Sequence, residues 1–206
     1  MSNTRQIENS LLVAYDKAAC ILENAKSGEI CRKTGAIFEN GTYKIAFLSG
    51  IYEISMPEVR FITKGVPIIV QVLILHYLTS MDENPVRGEF ISFRGIPGGM
   101  FYFKSFQQRA LDKLISNFIK RPEELLEAGA SLGGKKWITG DYSVVIPVFP
   151  KIDMVVQIFK ADDEFPLEAN ILYSDNITNF LPAEDAAFLG GYLVGILSRA
   201  RLDPQS

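Results

Sequence analysis

The segment AIFENGTYKIAF, residues 36–47, restricts the fold more than any other stretch of the chain. It places an Asn40-Gly41 pair between two strand-like runs. Both residues tolerate a positive φ, which the tight turns of antiparallel hairpins require. The next run, IYEISM, alternates: Tyr52, Ile54 and Met56 fall on one face, Glu53 and Ser55 on the other. Pro57-Glu58 turns the chain into VRFIT. This pattern predicts a three- or four-stranded antiparallel meander with one buried face, and that face needs a cover.

Helices on either side can supply it. Residues 4–25 put Ile7, Leu11, Tyr15, Ala18, Leu22 and Ala25 on one stripe, with Gly28 as the stop. Cys20 falls about 180° from that stripe, on the wetter face. After Pro67, residues 68–80 are apolar almost all round, the pattern of a helix packed on several sides and here expected to lie on the meander. The run 66–78 is too short to span a bilayer.

Further on, EFISFRGIPGGMFYFKSFQQRAL reads as a hairpin. Ser105 and Gln108 match a capping box that starts a helix at Phe106. Pro97-Gly98 suits the centre of a type II turn between strands 89–93 and 100–103. A phosphate-cradling glycine loop loses ground on that placement of the helix start. The helix 106–119 should bury Ala110, Leu111, Leu114 and Phe118, and Pro122 restarts a short one closed by Gly133-Gly134. Two strands around residues 150–153 follow, then the acidic loop at 162–164, then a short strand, ANILY. The last helix, about 182–200, carries Leu189, Leu193, Ile196 and Ala200 on one side. Ala187, Gly191, Gly195 and Ser198 form a small-residue strip on the other. Residues 202–206 read as a loose tail. The chain is thus expected to be one α+β domain spanning 1–206. Its antiparallel sheet, an N-terminal meander plus a C-terminal strand group, is covered by about five helices.

Bulk properties narrow the function. With 206 residues, 48% of them hydrophobic, a real core is affordable. A net charge of −3, with basic residues dispersed, argues against a nucleic-acid partner. The N-terminal MSNTRQIENS lacks a secretory core, and two cysteines, Cys20 and Cys31, suit a reducing compartment, so a cytoplasmic protein off the membrane is expected.

Several blocks occur in a specific order: VQVLILHYL, GEFISFRGIPGGMFY, LGG, DDEFPLEANILYSD and LPAEDAAFLGG. In that order the chain resembles the domain-of-unknown-function family DUF3786, from about residue 12 to 198. The resemblance implies an anaerobic bacterial or archaeal setting. In some members the domain is joined to a cysteine-rich, iron–sulfur-like segment, which this chain lacks. The family brings no established activity, so no cofactor is assigned.

The candidate sites are therefore read from the residues. Asp162, Asp163 and Glu164 supply oxygens for a divalent metal, or a catalytic carboxylate. Consecutive extended residues point to opposite sides, however, so a solvated strand connection is the simpler reading, anchored by a buried Phe165 ring. Asp141, after Gly140, is a further candidate acid or base. His76 is the only histidine, a core residue or a general base. Arg94 and Tyr102 flank the expected turn, where Arg94 either clamps an anionic ligand or pairs with an acid such as Glu89. Glu184 and Asp185 suit a helix start, and Trp137 suits the core or a ligand stack. Two functions stay open. One is a non-catalytic module that binds a small molecule, cofactor or protein partner. The other is an enzyme using carboxylates or a divalent metal at the acidic loop. The small-residue strip offers a route to a homodimer, though internal packing is its commoner use.

Overall fold

The computed structural model describes residues 2–80 and 87–202, with side chains for 8–80 and 87–201. The side chain of Ile7 and the tail 203–206 lie outside the described residues. The chain divides into two compact units. The first comprises the described residues up to 80 with Phe149–Lys151 and Asn179–Leu181; the second holds the rest. The class is α+β: two antiparallel sheets, of four and five strands, with helices.

In the first unit, α1 (Ser2–Asn24) and α2 (Ser27–Thr34) precede the meander β1 (Ile37–Glu39), β2 (Thr42–Phe47), β3 (Gly50–Ser55) and β4 (Arg60–Phe61). The sheet runs β1-β2-β3-β4. Asn40 and Gly41 take φ of 51° and 73°, the double left-handed pair that the sequence called for. Register sets Tyr43 opposite Ile54 and Ile45 opposite Tyr52. Alternation then buries Tyr43, Ile45, Phe47 and Ile54, each at most 1% exposed.

Gly28 does not stop the first helix. It lies within α2, and left-handed Gly35 (φ +74°) closes α2 instead, its N–H bonded to the Cys31 carbonyl. Helix α3 (Ile68–Thr79) starts after Pro67, whose carbonyl accepts from Val70 and Gln71 N–H groups. It packs along α1 and against α2. Its tie to the meander runs through rings: Phe149 lies 4.7 Å from Phe47 of β2 and stacks on Tyr77 of α3 at 4.2 Å, with Phe180 on the far side of Tyr77 at 4.7 Å. The Tyr77 hydroxyl donates to the Thr34 carbonyl at 2.6 Å. Burial of the ring pushes that hydroxyl's pKa far up.

The second unit is built on the sheet β5-β9-β8-β7-β6. Its strands are β5 (Phe90–Ser92), β6 (Lys135–Lys136), β7 (Tyr142–Phe149), β8 (Ile152–Phe159) and β9 (Glu168–Ser174). Residues 154–158 of β8 are all buried, which requires cover on both faces. On one side, Tyr173 of β9 donates its hydroxyl to the Ala186 carbonyl of α7 (Ala183–Leu202). On the other, Gln157 donates to the Thr139 carbonyl and Oγ1, and Trp137 sits edge-on against Phe90 at 5.1 Å. The apparent flaw in an apolar strand therefore fastens the 137–140 segment over the sheet.

The stretch after β5 corrects the expected hairpin. A 3-10 turn, Phe93–Gly95, leads to α4 (Gly99–Phe106), which continues through a π-helical turn, Gln107–Leu111, into α5 (Asp112–Phe118). Residues 100–103 are helical, and β5 pairs with β9 instead. The helix starts at Gly99 because Gly98 takes φ +79° and Gly99 lies against the Phe93 carbonyl, where a Cβ would overlap. Ser105 and Gln108 are therefore interior to the helical run and cap nothing. Phe106, Ala110, Leu114 and Phe118 are buried, while Leu111 is only half-buried. With α6 (Glu124–Ser131), and with 99–118 counted as one helix, six helices stand among the described residues. The one beyond the expected five is α2.

The small-residue strip of α7 faces the helical run 99–118. A Cβ on Gly191 would meet Arg109 at 3.3 Å, and Asn117 Nδ2 donates to Ser198 Oγ at 2.6 Å. Gly190, beside it, is pressed between the Tyr173 hydroxyl and the Phe106 ring. Much of the strip is thus used within the unit.

Candidate functional site

The acidic loop joins β8 to β9 and is fully on the surface: residues 160–166 are exposed. Its shape comes from Asp162. One carboxylate oxygen, Oδ1, accepts from Glu164 N at 2.9 Å and Phe165 N at 2.7 Å, and Asp162 N donates to the Phe165 carbonyl at 2.9 Å. An aspartate so placed closes a turn on itself. The two backbone donors hold its pKa below the usual aspartate value. Phe165, expected to anchor the corner with a buried ring, is 60% exposed instead. The turn is fixed by the carboxylate and needs no apolar anchor.

Asp141 is brought to the foot of the same loop. Its Oδ2 accepts from Lys160 N at 2.7 Å, and the Lys160 ammonium lies 4.8 Å from the centre of the Tyr142 ring. Tyr142 raises the lysine pKa, with Asp141 adding to it. Asp163 and Glu164 are exposed neighbours. Among the described residues no three of His, Cys, Asp and Glu are grouped to hold a metal ion. His76 is half-buried on α3 in the first unit, whereas the acids belong to the second.

Arg94 and Tyr102 have a different setting from the one expected. Arg94, in the 3-10 turn, lies over the Phe103 ring at 3.9 Å in place of an acid. Tyr102 stands on α4 at 36% exposure, next to Met100 at 64% and Phe101 at 90%. Trp137 is taken up by Phe90. Glu184 and Asp185 are in the first turn of α7, as their charge suggests.

A concave site that the sequence did not disclose lies between α6 and the end of α7. It is a cleft of about 480 Å³, lined by Arg121, Glu124, Glu127, Ser131, Ala200 and Arg201 among others. Glu124 bridges two arginines: Oε1 is 2.6 Å from Arg121 Nη1 and Oε2 is 3.6 Å from Arg201 Nε. Arg201 also donates to the Asn117 carbonyl and lies 5.6 Å from the Phe118 ring centre. Its Nε is buried without a hydrogen-bond partner. Its lining combines alanines, Ala128, Ala130 and Ala200, with side chains of both charge signs. No local motif announces such a cleft, because its arginines come from segments far apart in sequence.

Comparison with known proteins agrees with the order of blocks in the sequence. The model of the family described as Domain of unknown function (DUF3786) matches residues 27–195. The chain belongs to this family. No curated protein and no solved structure shows a significant match to it. Among the described residues, no helix is long and apolar enough to cross a membrane.

Proposed function

We propose that this DUF3786 chain is a non-catalytic binding module that takes a small charged molecule or cofactor, and that it serves in the cytoplasm in anaerobic metabolism. The observation that carries this reading is the engagement of Asp162 and Asp141. One oxygen of each already accepts backbone N–H groups: Asp162 Oδ1 those of Glu164 and Phe165 in its own loop, and Asp141 Oδ2 that of Lys160, across from it at the end of β8. Each carboxylate thus commits one oxygen to holding the chain; the other keeps its lone pairs, and it is the competition from these backbone donors that weighs against a general base or a metal ligand here. The cleft beside α6 is the place for the ligand. Its guanidinium groups suit a carboxylate, and Glu127 suits a positive group on the same molecule. The anaerobic setting comes from the family resemblance. The free thiols of Cys20 and Cys31 support a reducing compartment, and the acidic balance supports partners other than nucleic acid.

A thermal-unfolding screen against organic acids, amino acids, nucleotides and corrinoids tests it. A ligand at about 100 times its Kd stabilises by ~2.7 kcal/mol. For a chain of this size that is on the order of 5–10 °C. Stabilisation by one of these classes, lost in Arg121→Ala, is the expected result. A shift produced by a divalent ion and lost in Asp163→Asn would favour the metal-dependent enzyme instead.

A further inference from the structure

Two exposed patches of the second unit carry opposite charge, and each includes an exposed aromatic ring. The first is the start of α4. Residues 90–111 contain Arg94, Lys104 and Arg109 and no acid, in a chain whose net charge is −3; Glu184, next to the Ala183 that packs on Gly98, borders the patch. On this basic stretch Met100 is 64% and Phe101 90% exposed. The second is the acidic loop, where Asp162, Asp163 and Glu164 precede Phe165, 60% exposed. Isolated exposed rings are ordinary, but two of them within patches of opposite sign are complementary.

Strand register puts the two patches at one end of the sheet. Ser92, the last residue of β5, is opposite Leu172 of β9. Because the strands are antiparallel, the chain leaves β5 in the direction of Glu168, where β9 begins and the acidic loop ends. Gly99 is held against Phe93, so the start of α4 stays at that end. Four strand residues, at about 3.3 Å each, separate Leu172 from Glu168, or ~13 Å. Such a spacing fits within one protein–protein interface. In a single chain both patches remain exposed, so neither satisfies the other.

We propose that two copies of this chain associate about a two-fold axis by exchanging these patches. The acidic loop of each copy lies on the Arg94, Met100, Phe101 and Lys104 surface of the other. A two-fold contact is isologous, so each patch is used once per chain and the assembly closes as a dimer. Phe165 stacks beside Phe101 and Met100, where ring and thioether contacts are favourable. The Asp163 and Glu164 carboxylates face Lys104 and Arg94. This surface is distinct from the small-residue strip of α7. It is also independent of the ligand cleft: a monomer would leave the binding-module reading standing.

The test is sedimentation equilibrium over a wide range of protein concentration, at low and at high salt. The wild-type chain should dimerise, and salt should weaken the dimer because the charged groups are exposed. Lys104→Glu and Asp163→Lys should each weaken association about tenfold or more. Mixed in equal amounts, the two variants should recover a dimer, since each then offers the charge that the other lacks. Both side chains are exposed, so circular dichroism should show unchanged folding; Phe101→Ser gives a charge-neutral third variant that should also weaken the dimer. A chain that is monomeric at every concentration overturns the proposal. So does a dimer indifferent to the substitutions, or a mixture that fails to recover association.

Discussion

Substituting the first residue of α4 separates the observed helix start from the alternative that the sequence suggests. In the structure an alanine Cβ at position 99 would overlap the Phe93 carbonyl oxygen and lie 3.3 Å from the Phe93 carbonyl carbon. Ordinary contact begins near 3.4 Å. The obstacle is backbone, so no side-chain rotation relieves it. The helix start must move, straining the bonds from Gly99 N to the Ile96 carbonyl (2.8 Å) and from Ile96 N to the Phe93 carbonyl (3.2 Å). Overpacking of this kind costs about 1–3 kcal/mol. Alanine's better helix propensity returns at most ~1 kcal/mol, and less at a first position. Gly99→Ala should therefore destabilise by about 1–2 kcal/mol, a fall in Tm on the order of 5 °C. Gly28 is the control. It lies inside α2, and a methyl group added there would have nothing within 4 Å, so Gly28→Ala should stabilise slightly. Urea titration and thermal melts of both variants measure the pair. If Gly99→Ala matched or exceeded the wild type in stability, the close approach to Phe93 would be wrong, and a strand at 100–103 would return to consideration.

Two further outcomes follow from titration. Burial raises the pKa of Tyr77 and of Tyr173, so both favour the folded chain while protonated. Their contribution is complete below about pH 10, the unfolded tyrosine value, and declines as pH rises above it. Ultraviolet difference spectra should show these two ionising only with unfolding, and a titration at ordinary pKa in the folded chain would contradict the burial. For Asp162 the sign is opposite. Its depressed pKa means that the turn is held above the unfolded value and loosens as pH falls through the folded one. Carbon-detected NMR should place its midpoint below that of an ordinary aspartate; a midpoint at or above that value would mean that the Glu164 and Phe165 amide bonds are not formed.

The meander was legible because its signals are local. Asn40-Gly41 can hardly be anything other than a tight turn, and alternation in 42–47 and 50–55 assigns each side chain to a face. The start of α4 was not, because Ser105 and Gln108 imitate a cap while the deciding contact, Gly99 on Phe93, belongs to tertiary structure. Phe165 misled for a related reason: a phenylalanine before a proline suggests an anchor, but whether anything covers it depends on neighbours that the sequence does not specify. Gln157, an interruption in an apolar strand, gained its meaning only from Thr139. The candidate acids were located by composition alone. Their hydrogen-bond partners, which bear on their role, are backbone groups with no sequence signature. The Arg121–Glu124–Arg201 cleft needed both the α5–α6 turn and the end of α7 in place before it existed.

We propose that the acidic loop is architecture, shaped by Asp162, and that no ion or substrate proton is handled there. Isothermal titration of the wild-type chain with Mg²⁺, Ca²⁺, Mn²⁺ and Zn²⁺, beside Asp162→Asn, tests it most directly. No saturable heat is expected for any of the four ions. Saturable binding of one ion by the wild type, lost in Asp162→Asn, would contradict it and make the loop a metal site.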